Sequence, residues 1–186
     1  MMKFICKAIL LLVILFPLVT GCHSKMVPQS PSDIHFDENI GRTVYATTPW
    51  GVVSIPEKWA AGKYNKATRQ QYFYHKDTAT LIVSVGACKS FPFAKNGTDG
   101  YDFVRKYYDV ESKYNSMLEQ PTRIIEENEK DRYIIWTMRA DGIDQYLISG
   151  VKDCACNECG YRTIHLKSRK YSADKAVAFL KDAFLK

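Results

Sequence analysis

Several segments of the chain carry the apolar and polar patterns of β-strands. Short runs rich in β-branched and aromatic residues, bounded by turn residues, predict strands at 43–46, 52–55, 71–74, 78–85, 133–138, 143–149 and 161–168. Asp141 and Gly142 separate two of these runs, and Asp-Gly is a strong signal for a tight hairpin turn. We therefore expect neighbouring strands to pair antiparallel.

Two other segments repeat apolar residues every three or four positions, as amphipathic helices do. Thr98 and Asp99 are candidate caps of a helix that begins near Tyr101, and Ser172 is the cap of a helix that ends the chain. The stripes predicted to face the core are Phe103, Tyr107, Val110, Tyr114 and Met117 in the first helix, and Ala176, Val177, Phe179, Leu180, Ala183 and Phe184 in the second. The order of elements predicts an α+β fold, in which a largely antiparallel sheet is covered by two helices.

The first 21 residues have the layout of a secretory signal peptide. Basic Lys3 and Lys7 precede an apolar run over residues 8–19, and small residues follow before Cys22. The run is shorter than the ~20 residues that a membrane-spanning helix needs. A cleaved signal is therefore favoured over a permanent transmembrane helix.

The residues at the end of this signal, Val19-Thr20-Gly21-Cys22, resemble the bacterial lipobox. The resemblance implies cleavage before Cys22, a diacylglycerol on its sulfur, and an exported domain anchored to the cell membrane. His23 stands where the enteric sorting rule places an aspartate for inner-membrane retention, which favours the outer membrane, facing the periplasm, in a Gram-negative cell. The alternative is an ordinary secreted protein with a cysteine near its start.

Three regions follow from this interpretation. Residues 1–21 form the lipoprotein signal peptide, residues 22–42 form the lipidated cysteine and a flexible tether, and residues 43–186 form a single α+β domain. Loss of Lys3 and Lys7 with the signal leaves 24 basic against 20 acidic residues, a net charge of +4. The charges are interspersed, so nucleic-acid binding is not expected.

Four cysteines remain after Cys22, namely Cys88, Cys154, Cys156 and Cys159, and an even number in an exported protein favours disulfides. A bond between Cys154 and Cys156 is disfavoured by their spacing in an extended segment, so we expect Cys88 to bond into the loop from 154 to 159. A four-cysteine zinc site and a thioredoxin-like redox pair are the alternatives. No metal or other cofactor is predicted.

Catalytic signatures are few. The sequence has no G-x-S-x-G, no H-E-x-x-H and no glycine-rich phosphate loop. His23 and His35 fall in the predicted tether and His75 in a turn, whereas His165 lies on a strand and is expected to be a solvated surface residue. The acidic run at 126–131 is interpreted as a solvated loop, with calcium binding as its alternative. Tyrosines that are candidates for a binding surface are Tyr72, Tyr74, Tyr107, Tyr108, Tyr114 and Tyr133.

Four parts of the chain share one further pattern: the segment at 49–59, Pro-Trp-Gly-Val-Val-Ser-Ile-Pro-Glu-Lys-Trp, the central helix, the last strand and the closing helix. Through these parts, residues 43–186 resemble the PsbP-like α/β sandwich family. That family includes a photosystem II extrinsic subunit, a yeast nuclear-import factor that binds a small GTPase, and many bacterial lipoproteins. The resemblance implies docking to proteins rather than catalysis. The cysteine loop departs from the family pattern.

The sequence therefore predicts a membrane-anchored envelope lipoprotein that acts as a non-enzymatic protein-binding module, as an immunity or assembly factor. Its expected partners are the membrane, through the lipid on Cys22, and an envelope or secreted protein. The alternatives are an envelope enzyme or small-ligand-binding lipoprotein with a site around His165, and a structural envelope component without a dedicated ligand.

Overall fold

The computed structural model describes residues 33–76, 79–95, 97–153 and 158–186. The described residues form ten strands, two α-helices and two short 3-10 helices, and confirm the predicted α+β class. The elements are β1 Ile34–Asp37, β2 Arg42–Thr47, β3 Gly51–Pro56, β4 Ala60–Asn65, β5 Gln70–Tyr74, β6 Thr80–Ala87, 3-10 turns at Cys88–Ser90 and Pro92–Ala94, α1 Gly100–Met117, β7 Thr122–Asn128, β8 Tyr133–Ala140, β9 Ile143–Asp153, β10 Cys159–Lys167 and α2 Ala173–Leu185.

The strands form two antiparallel sheets rather than the single sheet expected. The small sheet has the order β1-β2-β3, and the large sheet has the order β4-β5-β6-β10-β9-β8-β7. The predicted pattern missed β1, β4 and β7, all of which lie at sheet edges. Edge strands are solvated on more than one side, so they do not need the apolar alternation by which strands are recognised.

The tether prediction is wrong for residues 34–42. Ile34–Asp37 form a strand that pairs with β2, and Ile34 packs partly against the core. The folded domain therefore begins before residue 43. Cys22 and the signal peptide lie outside the described residues.

The two faces of the large sheet are covered by different elements. Helix α2 and the small sheet cover one face, where Leu81, Val83, Ile148 and Ile164 are fully buried. Helix α1 and the two 3-10 turns cover part of the other face, over Ile134, Trp136, Leu147 and Tyr161. Successive strand residues point to opposite faces, which explains why the central strands read as almost continuous apolar runs.

Two arginines fasten the small sheet to the rest of the fold. Arg42 of β2 contacts Asp182 of α2 at 2.6 Å. The buried guanidinium of Arg162 on β10 donates to the carbonyl of Val52 at 2.7 Å and to the carbonyl of Phe184 at 3.3 Å. Burial lowers the pKa of Arg162 to about 10.

The Asp141-Gly142 hairpin is confirmed. Its two turn residues have φ values of 54° and 70°, as a tight hairpin turn with positive φ at both positions requires. Gly150 has a different role, because a Cβ there would come within 2.3 Å of the Phe184 ring. The absence of a side chain at Gly150 lets α2 pack directly on β9.

Candidate binding surface beside helix α1

Helix α1 exposes most of the stripe that its sequence pattern assigned to the core. Phe103 is buried as expected, but Val110, Tyr114 and Met117 are 50%, 55% and 68% exposed. The helix instead buries Val104 and Asn115, and it packs Tyr108 edge-on against Trp136 at 5.6 Å between ring centroids. The prediction was wrong for the second half of the stripe because tertiary packing there buried the neighbouring face, which carries the polar Asn115.

The exposed stripe lies on the flank of α1 that points away from β7. On the β7 flank, Arg105 forms an ion pair with Glu127 at 2.6 Å, and the hydroxyls of Ser112 and Thr122 are 2.6 Å apart. Positions 107, 110, 114 and 118 lie on the opposite flank at intervals of three or four residues. This flank faces β10, because Tyr107 packs against Tyr161 and hydrogen-bonds with Thr163.

The sheet surface beside this flank is rich in tyrosine. Phe73 points into the core on the α2 side, so Tyr72 and Tyr74 point to the α1 side of β5. Ile82 of β6 is the cross-strand partner of Tyr72 and is only partly buried. Tyr72 and Ile82 therefore give this face of the sheet apolar side chains beside a polar hydroxyl. Tyr133 does not contribute to it, because it is fully buried on the α2 side.

His165 lies at the inner border of this surface, and the prediction that it is a solvated residue is wrong. It is only partly exposed between Ile82 and Leu147, its cross-strand partners on β6 and β9. Its Nε2 lies 2.6 Å from the side-chain oxygen of Gln145, itself a buried residue. Burial, with a smaller effect from the charge of Lys167, lowers the pKa of His165 to about 4, so the ring is neutral near pH 7. The strand alternation had correctly placed His165 away from the α2 core, but it could not show that α1 covers the opposite face.

Two further titratable groups of α1 are buried near the same strand. Tyr107 hydrogen-bonds with the hydroxyl of Thr163, and burial raises its pKa well above the usual value. Burial also raises the pKa of Glu111, one helical turn further along. The charge of Glu111 also raises the pKa of Tyr107, so the two groups lie close together.

A disulfide joins Cys88 to Cys159, with 5.4 Å between their Cα atoms. It connects the end of β6 to the start of β10. The expectation that Cys88 bonds into the loop from 154 to 159 is confirmed, with Cys159 as its partner. Because these two sulfurs are bonded to each other, they do not provide thiolates for the alternative zinc site. Cys154 and Cys156 lie outside the described residues.

The acidic run at 126–131 is not a solvated loop over its first half, because Glu126, Glu127 and Asn128 belong to β7. The carboxylate of Glu126 accepts hydrogen bonds from Tyr133 at 2.6 Å and from Lys181 at 2.7 Å. The Glu126 contact with Lys181 holds α2 against the sheet edge, and the ion pair of Glu127 with Arg105 does the same for α1. Among the residues that the structure describes, no three His, Cys, Asp or Glu side chains are grouped to hold a metal ion.

Two surface cavities are distinct from the stripe on α1. The larger, of about 640 Å³, lies beside Trp59 and His75, and the smaller, of about 230 Å³, lies beside Thr122 and Tyr146. His165 lines neither of them. Within the described part of the chain, neither α-helix has the length and apolar character needed to cross a membrane.

No family model matches this chain, and no curated protein matches it.

Proposed function

We propose that this chain is a membrane-anchored envelope lipoprotein and a non-enzymatic protein-binding module, which serves as an immunity or assembly factor. The lipobox residues ending at Cys22 support the anchor. The partner is an envelope or secreted protein that presents an apolar surface. Outer-membrane attachment facing the periplasm follows from His23 if the cell is Gram-negative.

The exposed stripe on α1 is the observation that carries the binding role. Four apolar side chains on one flank of α1 and at its C-cap are each about half exposed or more, namely Val110, Tyr114, Met117 and Leu118. Contiguous exposed apolar surface is unfavourable in water, and on soluble proteins it marks interaction sites. Tyrosine and methionine are also enriched in protein interfaces, since they give a large contact area with adaptable geometry.

We also propose that the domain belongs to the PsbP-like sandwich family. The antiparallel sheet with helices on its two faces and the opening segment from Pro49 to Trp59 support this assignment. Trp59 is buried in the α2-side core, where its ring lies 5.7 Å from that of Phe179. The fold alone does not specify a function, so the protein-binding role rests on the stripe rather than on the family.

Site-specific photo-cross-linking tests this proposal. A photoreactive amino acid replaces Tyr114 in the full-length protein, expressed in its own cell envelope, and Ile40 is the matched control position. Ile40 is 56% exposed and lies in the turn between β1 and β2, on the opposite side of the domain. We expect one protein to cross-link at position 114 but not at position 40, and the complex to remain in the membrane fraction.

The other outcomes each contradict a defined part of the proposal. Equal cross-linking from both positions, or no protein cross-link from position 114, would contradict a binding role for the stripe. Recovery of the cross-linked complex in the soluble fraction would contradict the lipid anchor.

A small-ligand or enzymatic site around His165 is the second candidate. The neutral imidazole of His165 and the buried Glu111 and Tyr107 favour it, because buried titratable groups with shifted pKa values cluster at functional sites. If no protein cross-links at position 114, this second candidate becomes the favoured function.

A further inference from the structure

The larger cavity, of about 640 Å³, lies at one end of the large sheet, away from α1. It is formed where the chain enters β4 and where it leaves β5. The lining residues are Glu57, Lys58, Trp59, Ala60, Tyr74, His75 and Lys76. Its volume falls within the range of about 300–1,000 Å³ that is usual for small-molecule sites.

The backbone on one side of the cavity is held in an unusual conformation. Glu57 has a φ of 69°, in the left-handed region that residues with a side chain rarely adopt. Its N–H donates to the carbonyl of Gly41 at 3.1 Å, and its own carbonyl accepts from the N–H of Thr43 at 3.1 Å and from the Thr43 hydroxyl at 2.9 Å. These bonds fix the direction of the Glu57 side chain.

Aromatic groups form the inner wall. The side chain of His75 is 8% exposed, its Nε2 lies 3.3 Å from a carboxylate oxygen of Glu57, and its ring centroid is 5.1 Å from that of Trp59. The Tyr74 ring lies directly over Gly62, where a Cβ would come within 2.4 Å of the ring. The wall is therefore largely aromatic, and contacts within the protein hold it in place.

Positive charge exceeds negative charge around the cavity. Among the described residues that line the cavity, the exposed Lys58 and Lys76 stand against one carboxylate, that of Glu57. The Lys58 ammonium lies 5.2 Å from the centroid of the Phe36 ring, beside the cavity. The Glu57 carboxylate is already directed at His75. An anion at the mouth of the cavity is thus attracted by two ammonium groups and repelled by one carboxylate that is engaged elsewhere.

We propose that this cavity is a binding site for a small organic anion, a carboxylate carried on an aromatic or other apolar body. The carboxylate contacts the ammonium groups of Lys58 and Lys76, and the apolar body packs against the rings of Tyr74 and His75. Such a ligand is either a free acid or the carboxyl end of a peptide. This site is separate from the stripe on α1, so it goes beyond the protein-binding role.

NMR titration of the full-length protein in detergent micelles tests the proposal. The probes are phenylacetate and the peptide Gly-Gly-Phe, each compared with its neutral amide, and the readout is the shift of the Trp59 indole and His75 ring signals. We expect at least one acid to bind with saturation and its amide to bind about tenfold more weakly, because hydrogen bonds to charged groups stabilise a complex more than neutral ones. The acid that binds identifies the source as a free acid or a peptide end.

Paired lysine variants localise the effect. The double variant Lys58→Gln, Lys76→Gln should weaken acid binding about tenfold. The control Lys63→Gln, Lys66→Gln removes two exposed lysines that do not line the cavity and should leave binding unchanged. No saturable shift with either acid, equal binding of acid and amide, or equal loss in both double variants would overturn the proposal.

Discussion

The two faces of the large sheet differ in what they bury. On the α2 side, Leu81, Ile135 and Ile148 pack against Leu180 and Phe184, and every one of these side chains is fully buried. Both sides also bury polar groups. On the α2 side the Arg162 guanidinium bonds to the small sheet and to α2, whereas on the α1 side the buried polar residues lie on the sheet itself. Ser84, Gln145, Ser149 and Thr163 are buried there beside His165.

This difference bears on the binding role proposed for the α1 side. On the α2 side, packing has already buried the apolar surface, so a bound molecule would bury little further apolar area there. The α1 side keeps apolar side chains in water and buries hydroxyl, amide, imidazole and carboxyl groups beside them.

The disulfide is expected to have the largest effect on stability, and it belongs to the α1 side. Cys88 and Cys159 are 71 residues apart, and closing a loop of this length stabilises a protein by about 4 kcal/mol through the entropy of the unfolded chain. The double variant Cys88→Ala, Cys159→Ala should therefore lose about that much free energy of unfolding in urea titrations. Under reducing conditions the variant and the original protein should unfold at similar urea concentrations. A loss below about 1 kcal/mol would mean that the α1 side does not depend on this bond.

Substitution of one leucine beside each helix compares how much the two helices contribute to the free energy of unfolding. Leu180 of α2 is fully buried, whereas Leu118 at the end of α1 is 49% exposed. We expect Leu180→Ala to cost about 3 kcal/mol by leaving a cavity, and Leu118→Ala to cost less than about 0.5 kcal/mol. Urea denaturation measures both. Equal costs would show that the stripe on α1 is packed in solution and is not a free surface.

The smallest of the three effects is the pH dependence that His165 adds to the α1 side. Its pKa is about 4 in the folded protein, against 6.5 for an unperturbed histidine, so the unfolded chain binds a proton more readily between these values. His165 should therefore destabilise the fold as pH falls from 7 towards 4, by about 2 kcal/mol at pH 5. In urea titrations, His165→Gln should reduce this pH dependence. The control His35→Gln, at an exposed position, should leave it unchanged, and identical slopes in both variants would contradict the burial of His165.

The sequence patterns predicted the central strands, both helices and the Asp-Gly hairpin correctly. The short edge strands β4 and β7 were missed because their exposed faces carry no apolar period. The candidate surface was predicted only in parts. Tyr72, Tyr74 and Tyr114 were identified as surface candidates, whereas Glu111 had no sequence signal that separates it from a solvated helix residue.

The amino-acid sequence by itself predicted the central strands, both helices and the antiparallel pairing, and the signals for export and lipid attachment stay predictions from it. These depend on local features, namely residue periodicity, turn chemistry and the residues that precede Cys22. Only the tertiary structure decided which face of α1 is buried, that His165 is desolvated, and that Cys159 is the partner of Cys88. Each of these depends on which segments distant in the chain come together, and the packing energy that selects among them is absent from any short stretch of sequence.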